Sequence, residues 1–137
     1  MQRWEHFQHS ADIGVRGLGD RLDDAFVQCA IALTAVVTEP QRVQPSVAVK
    51  IDCHSDDVEL LLMEWLNALI YEMSVRKMLF ARFDVAIRDG DLAATAWGEH
   101  IDIERHQPAV EPKGATLTEL KVRETGSGWS AQCVIDV

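Results

Sequence analysis

Several things are missing from this chain, and each absence removes a class of function. No run of about 18 apolar residues occurs, so no helical membrane span is expected. The opening Met1-Gln2-Arg3-Trp4-Glu5-His6 has no apolar block of the kind that leads a secretory signal. Paired cysteine spacing is absent too. The three cysteines, Cys29, Cys53 and Cys133, are far apart and set in apolar patterns. That excludes a C-x-x-C zinc arrangement and points to buried free thiols in the reducing cytoplasm. Basic residues are few, 13 Lys and Arg against 22 Asp and Glu, for a formal net charge of −9. Such a surface repels phosphates, so direct nucleic-acid binding is not expected. A role in nucleic-acid metabolism would run through a metal or a more basic partner.

Internal repeats, low-complexity tracts and linkers are also lacking, and residues 1–137 read as a single domain. With 47% hydrophobic residues, a chain of this length buries roughly two-thirds of its unfolded surface and needs no staple. The common catalytic signatures fail one after another. There is no G-x-S-x-G elbow, no G-x-x-x-x-G-K-S/T phosphate loop, no G-x-G-x-x-G turn and no H-E-x-x-H helix. Gly17-Leu18-Gly19-Asp20 has a superficial likeness to a phosphate cradle, but it lacks the lysine. Its acid suits a helix cap better than an anion site.

What is present is a clear alternation of patterns. Residues 3–9 and 12–18 read as strands, with Ile13, Val15 and Gly17 on one face and Asp12 on the other. Asp20 is placed to cap a helix carrying Leu22, Phe26, Cys29, Leu33 and Val36, which Pro40 ends. Val47, Val49, Ile51 and Cys53 alternate as a strand. Ser55 and Asp56 are cap candidates for a second helix, Glu59 standing at capping-box spacing from Asp56. That helix runs through Leu62, Trp65, Leu66, Leu69, Ile70 and Met73 and is apolar enough to be central. Phe80 to Arg88 and Leu92 to Glu99 flank Asp89-Gly90-Asp91, a hairpin signal. Ala115 to Glu124 and Trp129 to Val137 form a further pair around Thr125-Gly126-Ser127-Gly128. The order predicts an α+β domain, two helices packed on a mainly antiparallel β-sheet.

Two acids sit where strands disfavour them. Asp12 lies in His9-Ser10-Ala11-Asp12-Ile13-Gly14, and Asp136 lies in Val134-Ile135-Asp136-Val137. Asp competes for nearby backbone donors and is poor in strands. Each either caps a turn or faces water, or the two together hold a hard cation. A second polar group, Glu99, His100, Asp102, Glu104 and His106, follows the hairpin and reads either as a solvated loop or as an acid–base or metal cluster.

Taken together, these segments resemble the archease family. The resemblance is carried by His9 to Gly14, by Glu64-Trp65-Leu66-Asn67 with Leu69-Ile70-Tyr71, and by Trp97-Gly98-Glu99 with Asp102 and His106. Lys113 to Thr116 and Val134-Ile135-Asp136-Val137 complete it. It covers the chain in order. Departures are Leu117-Thr118, where many relatives carry Tyr-His, Ser10 where Thr is common, and Pro112 and Gly114 around Lys113.

The resemblance implies a cytoplasmic accessory factor rather than an enzyme. Such a factor activates an RtcB-type RNA ligase of tRNA splicing and RNA repair, promoting guanylylation of the ligase histidine and repeated turnover. It also implies a divalent-cation site, calcium first with Mg²⁺ or Mn²⁺ as alternatives, carried over to Asp12, Asp136 and Val137. As the last residue of the sequence, Val137 would offer a backbone oxygen or a terminal carboxylate, giving an all-oxygen anionic set suited to such ions. The site requires the first and last strands to lie side by side. Two other readings stand beside it: a metal-dependent phosphoester hydrolase using Asp12, Asp136 and His9 or His106, and a chaperone or binding module for other RNA-modifying enzymes.

Overall fold

The computed structural model describes Met1–Val137 throughout. Strands β1 (Arg3–His9) and β2 (Asp12–Gly19) form a hairpin that leads into α1 (Leu22–Val37) and a 3₁₀ turn at Pro40–Arg42. Then come β3 (Val47–His54), α2 (Val58–Arg76), β4 (Met78–Arg88) and β5 (Asp91–His100). A one-turn α3 (Ile103–His106), β6 (Gly114–Ala115), β7 (Lys121–Thr125) and β8 (Gly128–Asp136) complete the chain.

The expected α+β class, with helices on antiparallel strands, is what forms. The strands are shared between two sheets rather than one. The first has order β1-β2-β8, with β6 and β7 both pairing β8; the second has order β3-β5-β4. All pairings are antiparallel. Each long helix bridges the sheets, α1 packing on β2, β8 and β4, and α2 on β3, β4, β6 and β7. This explains the apolar surface of α2, where Leu61, Leu62, Trp65, Leu66, Leu69, Ile70 and Met73 are all buried. Trp65 is fully enclosed; its Nε1–H donates to the Phe26 carbonyl at 3.1 Å and its ring meets Phe83 edge-on. The Thr34 hydroxyl ties α1 to β4 by donating to the Phe80 carbonyl at 2.6 Å.

Local signals hold in part. Asp89 and Gly90 both adopt positive φ, as the tight β4–β5 turn demands. The helix caps fall elsewhere than expected. The N-cap of α1 is Arg21, one residue past Asp20, and its backbone N–H donates to Asp24. For α2 it is Asp57, whose carboxylate accepts from the Glu59 and Leu60 N–H groups, not Ser55 or Asp56. Glu59 closes no capping box. Its carboxylate accepts from the Val122 N–H at 3.1 Å and pins β7 to the helix. The strand expected over Ala115 to Glu124 is broken between β6 and β7, because the chain loops out over residues 116–120 and rejoins the same edge of β8 in the same direction.

No helix is long and apolar enough to cross a membrane. Cys29 and Cys133 are buried and Cys53 half-buried, all three free, as the spacing suggested. Burial raises every thiol above its ordinary value, Cys53 to about 11 and Cys133 to about 12, so none is a ready nucleophile.

Candidate metal centre

The pairing of β2 with β8 decides where the two strand acids lie. Ile13 stands opposite Ile135, Gly14 opposite Val134 and Val15 opposite Cys133. Continuing that register by one step sets Asp12 opposite Asp136, and directly opposed residues share a sheet face. The strand beside β8 is therefore β2, which Asp12 opens, while β1 is the sheet edge. Ser10 takes positive φ and turns the chain from β1 into β2, bringing His9 opposite Asp12. On the other flank Gly114 pairs with Asp136, and the Lys113 N–H donates to the Asp136 carbonyl at 2.8 Å. The Val137 N–H points at Asp12 Oδ1, 3.4 Å away.

Neither carboxylate enters an ion pair; every such pair in the molecule lies elsewhere. Asp12 is half-buried and Asp136 exposed. Like charges directly opposed across a strand pair destabilise it, so this pair is an electrostatic cost that no cationic side chain offsets, only the long Val137 N–H bond to Asp12. The chemistry of the donors fits a hard cation: two carboxylates plus main-chain oxygen at Val137, with solvent completing the shell. No three His, Cys, Asp or Glu side chains converge as a metal-binding group anywhere in the molecule. His9 is thus a neighbour of Asp12 in register and not a third ligand of such a group.

The second polar cluster is closed around Glu99 and His106. His106 is 1% exposed. Its Nδ1 accepts from the Asp102 N–H at 2.8 Å, which leaves Nε2 protonated and donating to Glu99 at 2.9 Å. Arg105 donates to both Glu99 oxygens, at 2.6 and 2.8 Å, and the Gln44 N–H adds a fourth bond at 2.7 Å. The Arg105 bonds, aided by Gln44 and His106, lower the Glu99 carboxyl to about 2. His100, Asp102 and Glu104 face solvent, as a loop reading expects, but Glu99 and His106 form a closed network with Arg105 and not an open site. The groups of that network satisfy one another and clamp α3 against β5, and both ring nitrogens of His106 are committed.

The Gly17–Gly19 segment is explained by packing. A Cβ on Gly17 would overlap the Ala25 carbonyl oxygen and the Cys29 nitrogen, so glycine lets β2 press directly against the α1 backbone. Asn67, named above only as part of the α2 motif, proves to be a positioning residue. Its Oδ1 accepts from the Ala115 N–H at 2.8 Å and fastens β6, and through it the end of β8, to α2. Such a bond spans 48 residues of sequence, and no local pattern announces it.

The model of the Archease protein family matches residues 4–137. A curated relative from Pyrococcus furiosus, "Protein archease", is 37% identical over 142 residues, covering all of both chains. The protein of the same name from Sulfurisphaera tokodaii is 33% identical over 139 residues, again covering all of both. The solution structure of Methanobacterium thermoautotrophicum protein 1598 superposes with a TM-score of 0.85 at 28% identity, covering 98% of each chain. A crystal structure from Thermotoga maritima, described as an archease and possible chaperone, shares the fold with a TM-score of 0.63. Its identity is 17%, and the match covers 97% of this chain and 96% of that one.

Proposed function

We propose that this chain, which belongs to the archease family, is an accessory activator of an RtcB-type RNA ligase. In this reading it promotes ligase guanylylation and repeated turnover in tRNA splicing and RNA repair, and has no catalytic centre of its own. The observation that carries the reading is the pair Asp12 and Asp136, free of any salt bridge, at the β2–β8 end beside Val137.

Asp12, Asp136 and the Val137 main chain would hold a divalent cation, calcium first with magnesium or manganese as alternatives. Bound there, a cation supplies positive charge that offsets the carboxylates and is available to a phosphate ligand. This chain's own residues do the positioning. The β1–β2 turn holds Asp12, β6 holds the Asp136 backbone, and Asn67 fixes β6. The net charge of −9 draws this acidic end toward the basic, RNA-binding active site of a ligase. Phosphoryl transfer depends chiefly on positioning and electrostatics, the contribution an accessory factor can make.

The test is a purified guanylylation assay with the cognate ligase. Asp12→Ala and Asp136→Ala are expected to abolish stimulation while circular dichroism shows a folded domain. Full stimulation by both variants overturns the reading. Assay of the protein alone with phosphoesters and divalent metal addresses the hydrolase alternative. The burial and double engagement of His106 weigh against a hydrolase built on that residue.

A further inference from the structure

A trough runs between the C-terminal half of α2 and the segment joining α3 to β6. Its volume is about 830 Å³, and Ile70, Met73, Met78, Pro108 and Val110 supply much of its wall. Three large hydrophobics on this trough remain unusually bare: Tyr71 at 62% exposed, Ile103 at 73% and Ile101 at 36%. Isolated exposed apolar residues are ordinary, but several gathered on one concavity mark an interaction surface.

Charge defines the occupant further. Lys77 and Lys113 line the trough and neither enters an ion pair, against a single acid, Glu111. In a chain carrying −9 overall, this is a locally basic rim on an apolar bed. The trough also reaches the candidate metal centre, since the Lys113 N–H is bonded to the Asp136 carbonyl. We infer that this trough is a docking groove for an amphipathic segment of the ligase, with apolar side chains seated along α2 and acidic residues meeting Lys77 and Lys113.

The inference rests on the ligase-activator reading and adds a second contact, one that supplies affinity while Asp12 and Asp136 act at the reaction centre. A bare aromatic rim suits a protein segment better than an enclosed small ligand, because Tyr71 gains most by being covered.

The experiment measures binding and guanylylation separately, using the full chain and the cognate ligase. Tyr71→Ala and Ile103→Asp alter exposed side chains and are expected to fold, which a thermal melt checks. Each is expected to weaken ligase binding about tenfold while leaving maximal stimulation at saturating protein unchanged. Lys77→Glu is expected to weaken binding, with Lys77→Arg restoring it. Asp12→Ala is expected to show the opposite split, binding retained and stimulation lost. Groove variants that bind like wild type overturn this inference and leave the activator reading standing. A wild-type protein that neither binds nor stimulates the ligase overturns both.

Discussion

Replacing Asp12 by Asn is expected to invert the order of stability between two buffers. The substitution removes one of two opposed charges and keeps Oδ1 to accept the long bond from Val137. Relief of cross-strand repulsion is worth roughly 0.2–1 kcal/mol. For 137 residues, an unfolding entropy of about 2.1 cal/mol/K per residue makes 1 kcal/mol equivalent to about 3.5 °C. In EDTA the variant is therefore expected to melt about 1–3 °C above wild type. With calcium at a hundred times its dissociation constant, a ligand of the native state adds about 2.7 kcal/mol. That raises the wild-type midpoint by about 9 °C, while the variant, short of a charged ligand, gains less than about a third of that. The assay is thermal unfolding by circular dichroism in EDTA and in a calcium series. Equal calcium shifts in both proteins, or none in wild type, refute the assignment of Asp12 to a cation.

Acid sensitivity is expected to track Glu99. Its carboxyl is held at about 2 in the fold, from an ordinary 4.5, first by Arg105. The stability it contributes is therefore present above about 4.5 and lost as pH falls toward about 2. A urea midpoint followed from pH 7 to pH 2 is expected to fall less steeply in Glu99→Gln. Glu99→Ala leaves the His106 Nε2–H buried without its acceptor and is expected to cost about 1–3 kcal/mol at pH 7. An unchanged acid limb in Glu99→Gln would remove this residue from the explanation. Gly98→Ala is expected to destabilise by about 1–3 kcal/mol or more, since the added methyl meets the Leu79 carbonyl oxygen at the β4 bulge. Chemical denaturation at neutral pH measures it, and a loss under 0.5 kcal/mol would show that the bulge yields.

Features governed by neighbouring residues were legible in the sequence. The alternation in residues 12–18, the Asp89-Gly90 turn and the apolar stripe of α2 each encode their own geometry within a few positions. The opposition of Asp12 and Asp136 followed only through a family resemblance, because strand pairing across the whole chain leaves no periodic trace. For the same reason the division into two sheets was hidden: β3, β4 and β5 have the same alternation whichever sheet they join. The closed Glu99–Arg105–His106 network was illegible because polarity alone cannot distinguish side chains facing water from side chains facing one another. The caps slipped by one residue at each helix, where Asp57 outcompeted two equally suitable neighbours and Arg21 took the position after Asp20.

β8 fits between β2 on one side and β6 and β7 on the other, so the sheet that holds the N-terminal hairpin is finished by a strand more than a hundred positions later. While this chain is being made, the edge of β2 that β8 later covers stays open until more than a hundred further residues have been added. Completing this sheet requires closure of that very long loop, and non-local pairings of this kind form late because the loop entropy must be met first. Any ion shared by the two facing carboxylates would bind only after this last insertion, and would act as a latch on the closed sheet.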